Sequence, residues 1–523
     1  MNRPSVADID QHYDLLVCGG GIYGAWTAYD AALRGLKVLL IEQNDWGSGT
    51  SSASSKLIHG GLRYIQTLDF ALIKKSLKER QHLTHSAPYR VWPLRFGIPA
   101  QSYAGLLRLK TGLMIYDCLA GTLHSRQTHR YFNAQAFAAH FPCLDVLQLK
   151  GGYTYLDAQT DDARLVLEVI DGAHTASASC LNYCRLQETI KKNGIITGAI
   201  VYDKISHQAL TIKASAIAKA TGRWISDSST EKQWGRLSKG IHLVLPKILS
   251  NEALLLTARS DGRVFFIIPW YGLTLLGTTD SNYTGNINNI EVEKQEIEYL
   301  LREANFALNT QWTENDIQGQ FAGVRVLQCS THRSPSSISR DWELKSFNNG
   351  LFYSIGGKLT SSREDAAHMV DTICQYLGKN SICKTHTTAM PWLPENDFPA
   401  WYQHSSETAH ALGIDNESTL WLLRRHGKRV SQIFSSIEQD PSSAQRITPH
   451  VPLIVADLLF CLKNENVIHL EDLLRRRMPL LILYKMTIPE LRHFAQLCSK
   501  ELNWDLSTIN KEVASCANTW LRA

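Results

Sequence analysis

The sequence predicts an α/β protein: a doubly wound, Rossmann-like nucleotide-binding domain, a second domain roofed by an antiparallel sheet, and a helical C-terminal domain. Three observations predict it. Near the start, "DLLVCGGGIYGAWTAYDAALRGLKVLLIEQND" reads as strand, glycine turn, helix and strand. In the middle, alternating apolar runs such as "RVFFIIPW" and "LTLLGTTD" read as antiparallel strands. After the proline-rich "AMPWLPENDFPAW" the pattern becomes helical through "TLWLLRRHGKRVSQIF", "VPLIVADLLFCLKN" and "TIPELRHFAQLCSKEL".

The first element carries the most chemistry. A buried strand, Leu15 to Cys18, leads into Gly19, Gly21 and Gly24 at G-x-G-x-x-G spacing, then a helix from about Ile22 to Leu33 and a strand from Lys37 to Glu42. The first glycine permits the tight turn, the second lets a pyrophosphate approach the backbone, and the third lets helix and strand pack closely. The helix N-terminus offers unpaired N–H groups to the pyrophosphate. Glu42, ending the second strand, is placed to accept hydrogen bonds from ribose hydroxyls. The fingerprint does not choose between NAD and FAD.

Composition narrows the class. A chain of 523 residues suits two or three domains, and a formal net charge of +5 is small for that size. No run of Lys and Arg with interleaved aromatics marks a nucleic-acid groove. The eleven cysteines are scattered without CxxC pairs, which argues against a disulfide framework and a zinc site and is the pattern of reduced cytosolic thiols; no metal is expected. The N-terminal "MNRPSVADIDQHYD" lacks the apolar core of a signal peptide, and no apolar run reaches the ~20 residues of a spanning helix.

The stretch "TSSASSKLIHGGLRY", Thr50 to Tyr64, follows the second strand. There a segment can fold back across a dinucleotide, its hydroxyls and amides serving phosphate and ribose oxygens. Gly60 and Gly61 leave room for a flat ring against the backbone, with Arg63 and Tyr64 beside it. This stretch closely resembles the flavin-contacting segment of the FAD-dependent, quinone-linked glycerol-3-phosphate dehydrogenases. The resemblance continues through "GGGIYGAWTAYDAALRG", "LLRLKTGLMIYDCLAG", "YLDAQTDDARLVLE", "ATGRW", "KGIHLVLP", "DGRVFFIIPW", "LGTTDSNYTG", "FAGVRVL", "SRDWEL" and "GGKLTSSREDAA", in the family's order, and "VIHLEDLLRRR" is similar to part of its helical C-terminal domain.

What the resemblance implies is an FAD-binding Rossmann-like domain of the glutathione-reductase type, an α+β substrate domain roofed by an antiparallel sheet, and the C-terminal helical domain. The expected division is residues 1–96, 150–232 and 345–385 for the discontinuous FAD domain, 97–149 and 233–344 for the substrate domain, and 386–523 for the helical one. Beyond the fingerprint glycines and Glu42, the expected cofactor contacts are Thr50, Ser51, Ser52, Ser55, Lys56, Leu57, His59, Gly60, Gly61, Gly222, Gly356, Gly357, Lys358, Leu359 and Thr360. Gly356 and Gly357 follow a strand and precede a helix, bringing a second helix N-terminus towards the cofactor.

Arg63, Tyr64, His242, Arg325, Arg340 and Lys358 fall on the family's substrate pocket. A phosphate dianion needs several cationic donors: Arg grips it bidentately and Lys adds a compact charge. His242, with a reference pKa near neutrality, is the candidate to take a hydroxyl proton, and Arg325 the companion that stabilises oxygen charge at C2. The implied reaction oxidises sn-glycerol 3-phosphate to dihydroxyacetone phosphate by hydride transfer to FAD, with electrons passed on to ubiquinone. A related oxidase that uses oxygen, or a dehydrogenase of another small anion, is the alternative.

The resemblance also implies a cytoplasmic enzyme attached peripherally to the inner face of the cytoplasmic membrane. In "LLRLKTGLMIYDCLAG", Leu106, Leu109, Leu113, Tyr116 and Ala120 fall on one helical side with Arg108 roughly opposite, a stripe expected to meet the bilayer surface. A homodimer is allowed but not required. Departures from the family pattern stand at Cys18, Trp26, Lys219, Arg223, Val326 and Ser362. Family members usually have glycine where Trp26 stands, asparagine and proline where Lys219 and Arg223 stand, proline for Val326 and tyrosine for Ser362.

Overall fold

A computed structural model describes residues 1, 3–65, 69–122, 128–147, 149–226, 235–249, 251–328, 341–395 and 397–521. Two large sheets organise it. The first has a parallel core in the order Leu351–Gly356, Gln208–Lys219, His12–Cys18, Val38–Ile41, Ser179–Leu181, with Trp342–Phe347 added antiparallel at one edge. Leu15 to Cys18 and all of Val38–Ile41 are buried because both faces of this sheet are covered. Leu15 and Val17 point to a core shared with helices Ile22–Leu33, Asp162–Thr175 and Ser362–Tyr376. Leu16 and Cys18 point the other way, against the antiparallel meander of Cys184–Lys192 and Ile195–Asp203. The strand-turn-helix-strand reading of the N-terminus therefore holds, the first strand beginning earlier, at His12.

The second sheet runs Ser281–Asn282, Gly235–Leu245, Leu273–Gly277, Val264–Trp270, Glu252–Thr257, Val91–Ala100, Gly151–Thr160, Leu57–Ile58. Gly319–Gln328 pairs along Gly235–Leu245, and every pairing is antiparallel except that of Glu252–Thr257 with Val91–Ala100. Here the division differs from the sequence expectation. Leu57–Ile58, Val91–Phe96 and Gly151–Thr160, all placed with the FAD domain from sequence, hydrogen-bond into the roof sheet, and Trp342–Leu344 belongs to the first sheet. The ladder between Val91–Ala100 and Gly151–Thr160 joins two segments whose alternation alone does not say which sheet they enter.

Ser102 caps the Tyr103–Ala120 helix by accepting from the Gly105 N–H, and Gly121 ends it at φ +69°. Its expected membrane-facing stripe turns inward: Leu106, Leu113 and Tyr116 are buried in the core, with Leu109 and Ala120 packed against it. The helix is apolar on both sides, which the sequence pattern could not rank. Its exposed side carries Tyr103, Leu107 and Met114, 76%, 67% and 48% exposed, together with Arg108 and Lys110. No helix among the described residues is long and apolar enough to cross a membrane.

The C-terminal helices pack on both sheets through buried ion pairs rather than apolar contact alone. Arg425 donates to Asp457 at 2.9 Å and to the Tyr271 hydroxyl at 3.1 Å, and that hydroxyl donates to Asp161 at 2.7 Å. Arg164 pairs with Glu465, and Arg90 joins Glu168 to the Arg424 carbonyl. His426, Asp457 and Cys461 come close enough to hold a metal, but Arg425 occupies the carboxylate they share. In the turn Asp472–Arg477, Arg476 and Arg477 both pair with Asp45.

Candidate functional site: a dinucleotide cleft ending in a cationic pocket

Gly19 leaves the end of the His12–Cys18 strand at φ +113°, and a Cβ there would stand 2.4 Å from the Ala220 carbonyl oxygen. A Cβ on Gly24 would stand 1.8 Å from the Gly19 oxygen, so helix and turn are in contact. Gly21 is the N-cap of the Ile22–Leu33 helix and faces the cleft. Trp26 does not crowd this junction: its ring is buried in the helix-sheet core and stacks on Tyr29 at 5.9 Å. Glu42 lines the cleft and accepts from the Gly20 N–H at 2.6 Å and the Asn44 N–H at 2.9 Å. Its carboxylate thereby braces the glycine turn, while burial raises its pKa.

The Thr50–Tyr64 stretch is fastened by hydrogen bonds from several elements. Thr50 Oγ1 donates to the Val324 carbonyl at 2.6 Å, and Ser51 Oγ accepts from the Ile22 N–H at 2.9 Å. The Gly60 N–H donates to the Tyr116 hydroxyl and to Asp157, and Arg80 holds Asp157 in place at 2.7 Å. The His59 N–H donates to Thr360 Oγ1 at 3.1 Å, and that hydroxyl returns a bond to the His59 carbonyl. This clasp joins the two glycine pairs expected from sequence, since Gly357 and Lys358 lie against Tyr23: the Lys358 N–H donates to the Tyr23 hydroxyl at 2.9 Å. Ser362, where the family has tyrosine, bonds the Leu359 carbonyl at 2.9 Å and starts the following helix.

These walls enclose one cavity of about 950 Å3 between the two sheets. Of the expected cofactor contacts, Gly19, Gly21, Glu42, Thr50, Ser51, Ser55, Leu57, His59, Gly61, Gly222, Gly356, Gly357, Lys358, Leu359 and Thr360 line it. Gly24, Ser52, Lys56 and Gly60 do not. The Lys56 side chain is buried behind the wall, bonded to the Ser52 carbonyl at 2.8 Å and to Asp162 at 2.7 Å. Lys219 and Arg223, two of the departures, also line the cavity, as does Cys18, whose thiol burial pushes up to about 12.

Lys358, Tyr64 and Arg325 of the candidate substrate groups line the same cavity. Lys358 Nζ lies 3.8 Å from the centre of the Tyr64 ring. Arg325 donates to Thr278 Oγ1 at 3.1 Å and stands 3.6 Å from Asp280 Oδ1. His242 is 1% exposed, stacks on Phe321 at 4.9 Å and shares a 2.9 Å hydrogen bond between Nε2 and Ser55 Oγ. Burial first, then the charges of Arg325 and Lys56, hold its imidazole well below the usual histidine range. Arg340 and the side chain of Arg63 lie outside the described residues. Sequence reasoning missed Arg263, Phe266, Tyr155, Asp157 and Asp280, which also line the cavity. They stand inside motifs already quoted, "DGRVFFIIPW", "YLDAQTDDARLVLE" and "LGTTDSNYTG", where only the motif and not the residue was weighed.

The donor set fits FAD: a glycine turn that tolerates no side chain, a braced acid at the second strand, and a cleft of dinucleotide size. Residues 14–358 match the FAD dependent oxidoreductase family, and residues 389–509 match the C-terminal domain of alpha-glycerophosphate oxidase. A glycerol-3-phosphate dehydrogenase of Synechocystis sp. is 35% identical over 497 residues, covering 89% of this chain and 88% of that protein. Glycerol-3-phosphate dehydrogenase 2 of Mycobacterium tuberculosis is 32% identical over 515 residues, covering 97% and 87%. The solved structure of the glycerol-3-phosphate dehydrogenase from Bacillus halodurans complexed with FAD superposes with a TM-score of 0.79 at 27% identity, covering 98% of this chain and 95% of that one. With its cofactor FAD, the chain belongs to the FAD-dependent glycerol-3-phosphate dehydrogenases.

Proposed function

We propose that the protein oxidises sn-glycerol 3-phosphate to dihydroxyacetone phosphate and passes the electrons to ubiquinone at a membrane surface. The observation that carries the substrate reading is that Lys358, stacked on Tyr64, and Arg325 line one cavity with the FAD-facing residues. Cations from distant segments gathered in one half-buried pocket make an anion site, which a solvated surface would not. Lys358, with Arg63 and Arg340 as the sequence assigns them, grips the phosphate, and Arg325 stabilises the oxygen at C2. His242 takes the hydroxyl proton, directly or through a group it holds; burial keeps it unprotonated and ready to accept. Bound FAD supplies the two-electron acceptor that takes the C2 hydrogen with its bonding pair.

Anchoring the phosphate spends binding energy on placing C2, so a substrate without it reacts poorly. Anaerobic bleaching of the flavin by glycerol 3-phosphate but not by glycerol is the expected result; equal rates refute the anchor.

For the membrane, the exposed side of the Tyr103–Ala120 helix replaces the inward-facing stripe as the contact surface. Tyr103, Leu107 and Met114 would enter the interface and Arg108 and Lys110 meet anionic headgroups. A second reading, oxygen as acceptor, is favoured by the match of residues 389–509 to the glycerophosphate oxidase C-terminal domain. Hydrogen peroxide formed in air without quinone would select it.

A further inference from the structure

We propose that Ser55 is a proton-relay residue: its hydroxyl receives the proton of the substrate hydroxyl while passing its own to His242 Nε2. This rests on the substrate and base assigned above and adds the path between them.

The geometry calls for an intermediary. His242, the base assigned above, is buried and does not itself line the cavity. Phe321 lies parallel to one face at an interplanar angle of 14°. On the edge, Gly277 comes so close that a Cβ there would stand 2.4 Å from His242 Cδ2. Nδ1 has no hydrogen-bond partner among the described residues. The remaining polar atom, Nε2, meets Ser55 Oγ at 2.9 Å, and Ser55 does line the cavity. Its hydroxyl both meets the imidazole and belongs to a residue that lines the cavity. A hydroxyl donates and accepts at once, which is what a relay requires.

The charges around the ring suit the role. Lys56, paired with Asp162, and Arg325, beside Asp280, face His242 from the loop and from the Gly319–Gln328 strand, and Arg475 sits 5.5 Å from the Phe321 ring. Burial first, and then the charges of Arg325 and Lys56, keep the imidazole neutral. A phosphate dianion bound in the pocket adds negative charge to this cationic surrounding and raises the basicity of His242 when substrate is bound. The step balances. The C2–H bond breaks with its electron pair going to the flavin, so the alcohol is oxidised and the flavin reduced. The substrate O–H pair becomes the second C–O bond; that proton goes to Ser55 Oγ, and the Ser55 proton goes to Nε2.

The test uses FAD-loaded full-length protein and the variants Ser55→Ala, Ser55→Thr, His242→Asn and the double variant Ser55→Ala/His242→Asn. Flavin reduction by glycerol 3-phosphate is followed under anaerobic single-turnover conditions, and FAD affinity is measured separately by fluorescence. General-base effects run to about 10²–10⁴-fold, so S55A is expected to slow reduction by about 10²-fold or more at saturating FAD, the comparison being made there because Ser55 also lines the FAD cleft. S55T keeps the hydroxyl and should recover most of the rate. Because the two groups act in series, the double variant should be no slower than H242N. Independently of activity, 15N resonances of His242 should show Nε2 as the unprotonated acceptor and should shift in S55A.

Wild-type rates in S55A, multiplicative losses in the double variant, or a proton resident on Nε2 would overturn the relay. So would a rate loss in S55A matched by loss of FAD. If glycerol 3-phosphate fails to bleach the wild-type flavin, the substrate reading falls instead, and the His242 tautomer still decides the relay.

Discussion

Arg475 Nη2 donates to the Ser52 carbonyl at 3.2 Å, the same oxygen that receives Lys56 Nζ at 2.8 Å. One residue belongs to the C-terminal helical domain and the other to the loop that carries Ser51 and Ser55 into the FAD cleft. The neighbouring Arg476 and Arg477 pair with Asp45, which precedes Trp46; the Trp46 ring packs on Gly20 of the glycine turn. A role for the last domain, unreadable in its amino-acid pattern, follows: it buttresses the flavin-facing loops from behind.

Replacing Asp45 by Asn should therefore cost more than a surface ion pair. It leaves two buried guanidinium groups without their shared carboxylate, a loss of about 3–5 kcal/mol for a buried pair broken on one side. Urea unfolding of the FAD-free and FAD-loaded forms measures it, and FAD affinity is expected to fall together with stability.

Gly24→Ala tests the glycine turn. The new methyl would fall 1.8 Å from a backbone oxygen that has no room to retreat, so helix and strand must separate. Overpacking of this kind costs about 1–3 kcal/mol, and the expected outcome is a folded but colourless protein with far weaker FAD binding in a fluorescence titration.

Much of this site was legible because its chemistry is local in sequence. Gly19, Gly21, Gly24 and Glu42 fall within one strand-turn-helix-strand unit, and "GGKLTSSRED" signals its strand-to-helix turn by two adjacent glycines. Partners that depend on tertiary contact were not legible. Nothing in "TSSASSK" tells that Ser55 turns to His242, Lys56 to Asp162 and Ser51 to the helix N-terminus. The same limit misassigned Gly151–Thr160 and the Leu106–Tyr116 stripe: apolar periodicity says that a face is buried, not against what.

Acid should destabilise the protein through its buried histidines. His242 lies well below the usual histidine range and His426 falls to about 3, in both cases chiefly through burial. Below about pH 6.5 the unfolded chain takes up protons at both sites that the folded chain refuses. Stability contributed by the neutral rings is thus full above that pH and declines as pH falls towards the folded values, by about 1.4 kcal/mol per pH unit for each histidine. Urea titrations between pH 7 and pH 5 should show this slope, and His426→Asn should reduce it by about a third, since His82, which burial pushes down to about 4, adds to it.

Arg223 stands where the family usually has proline and lines the FAD cleft above the Trp224 ring at 4.3 Å. Burial pushes its guanidinium down to about 10, which leaves it charged at neutral pH. Arg223→Gln should weaken FAD binding by roughly three- to tenfold at low salt and flatten its salt dependence, as removal of one charge-assisted contact to a pyrophosphate would.

The membrane reading rests on three exposed side chains. Leu107→Gln with Met114→Gln should reduce binding to anionic liposomes by about tenfold or more in a sedimentation assay, given roughly 1.5–3 kcal/mol for each apolar side chain withdrawn from water. The interior Leu113 is left intact, so flavin content should not change. Undiminished binding would remove this helix as the contact.

Gly19 and Gly357 both line the cleft, from the first and last segments of the FAD domain, and Tyr23 of the helix after the glycine turn packs on Gly357. During synthesis, then, the growing polypeptide has half a cradle for most of its time on the ribosome. Vitamin capture must wait until translation has passed the second glycine pair, so the colour of this enzyme is a late event in its biogenesis.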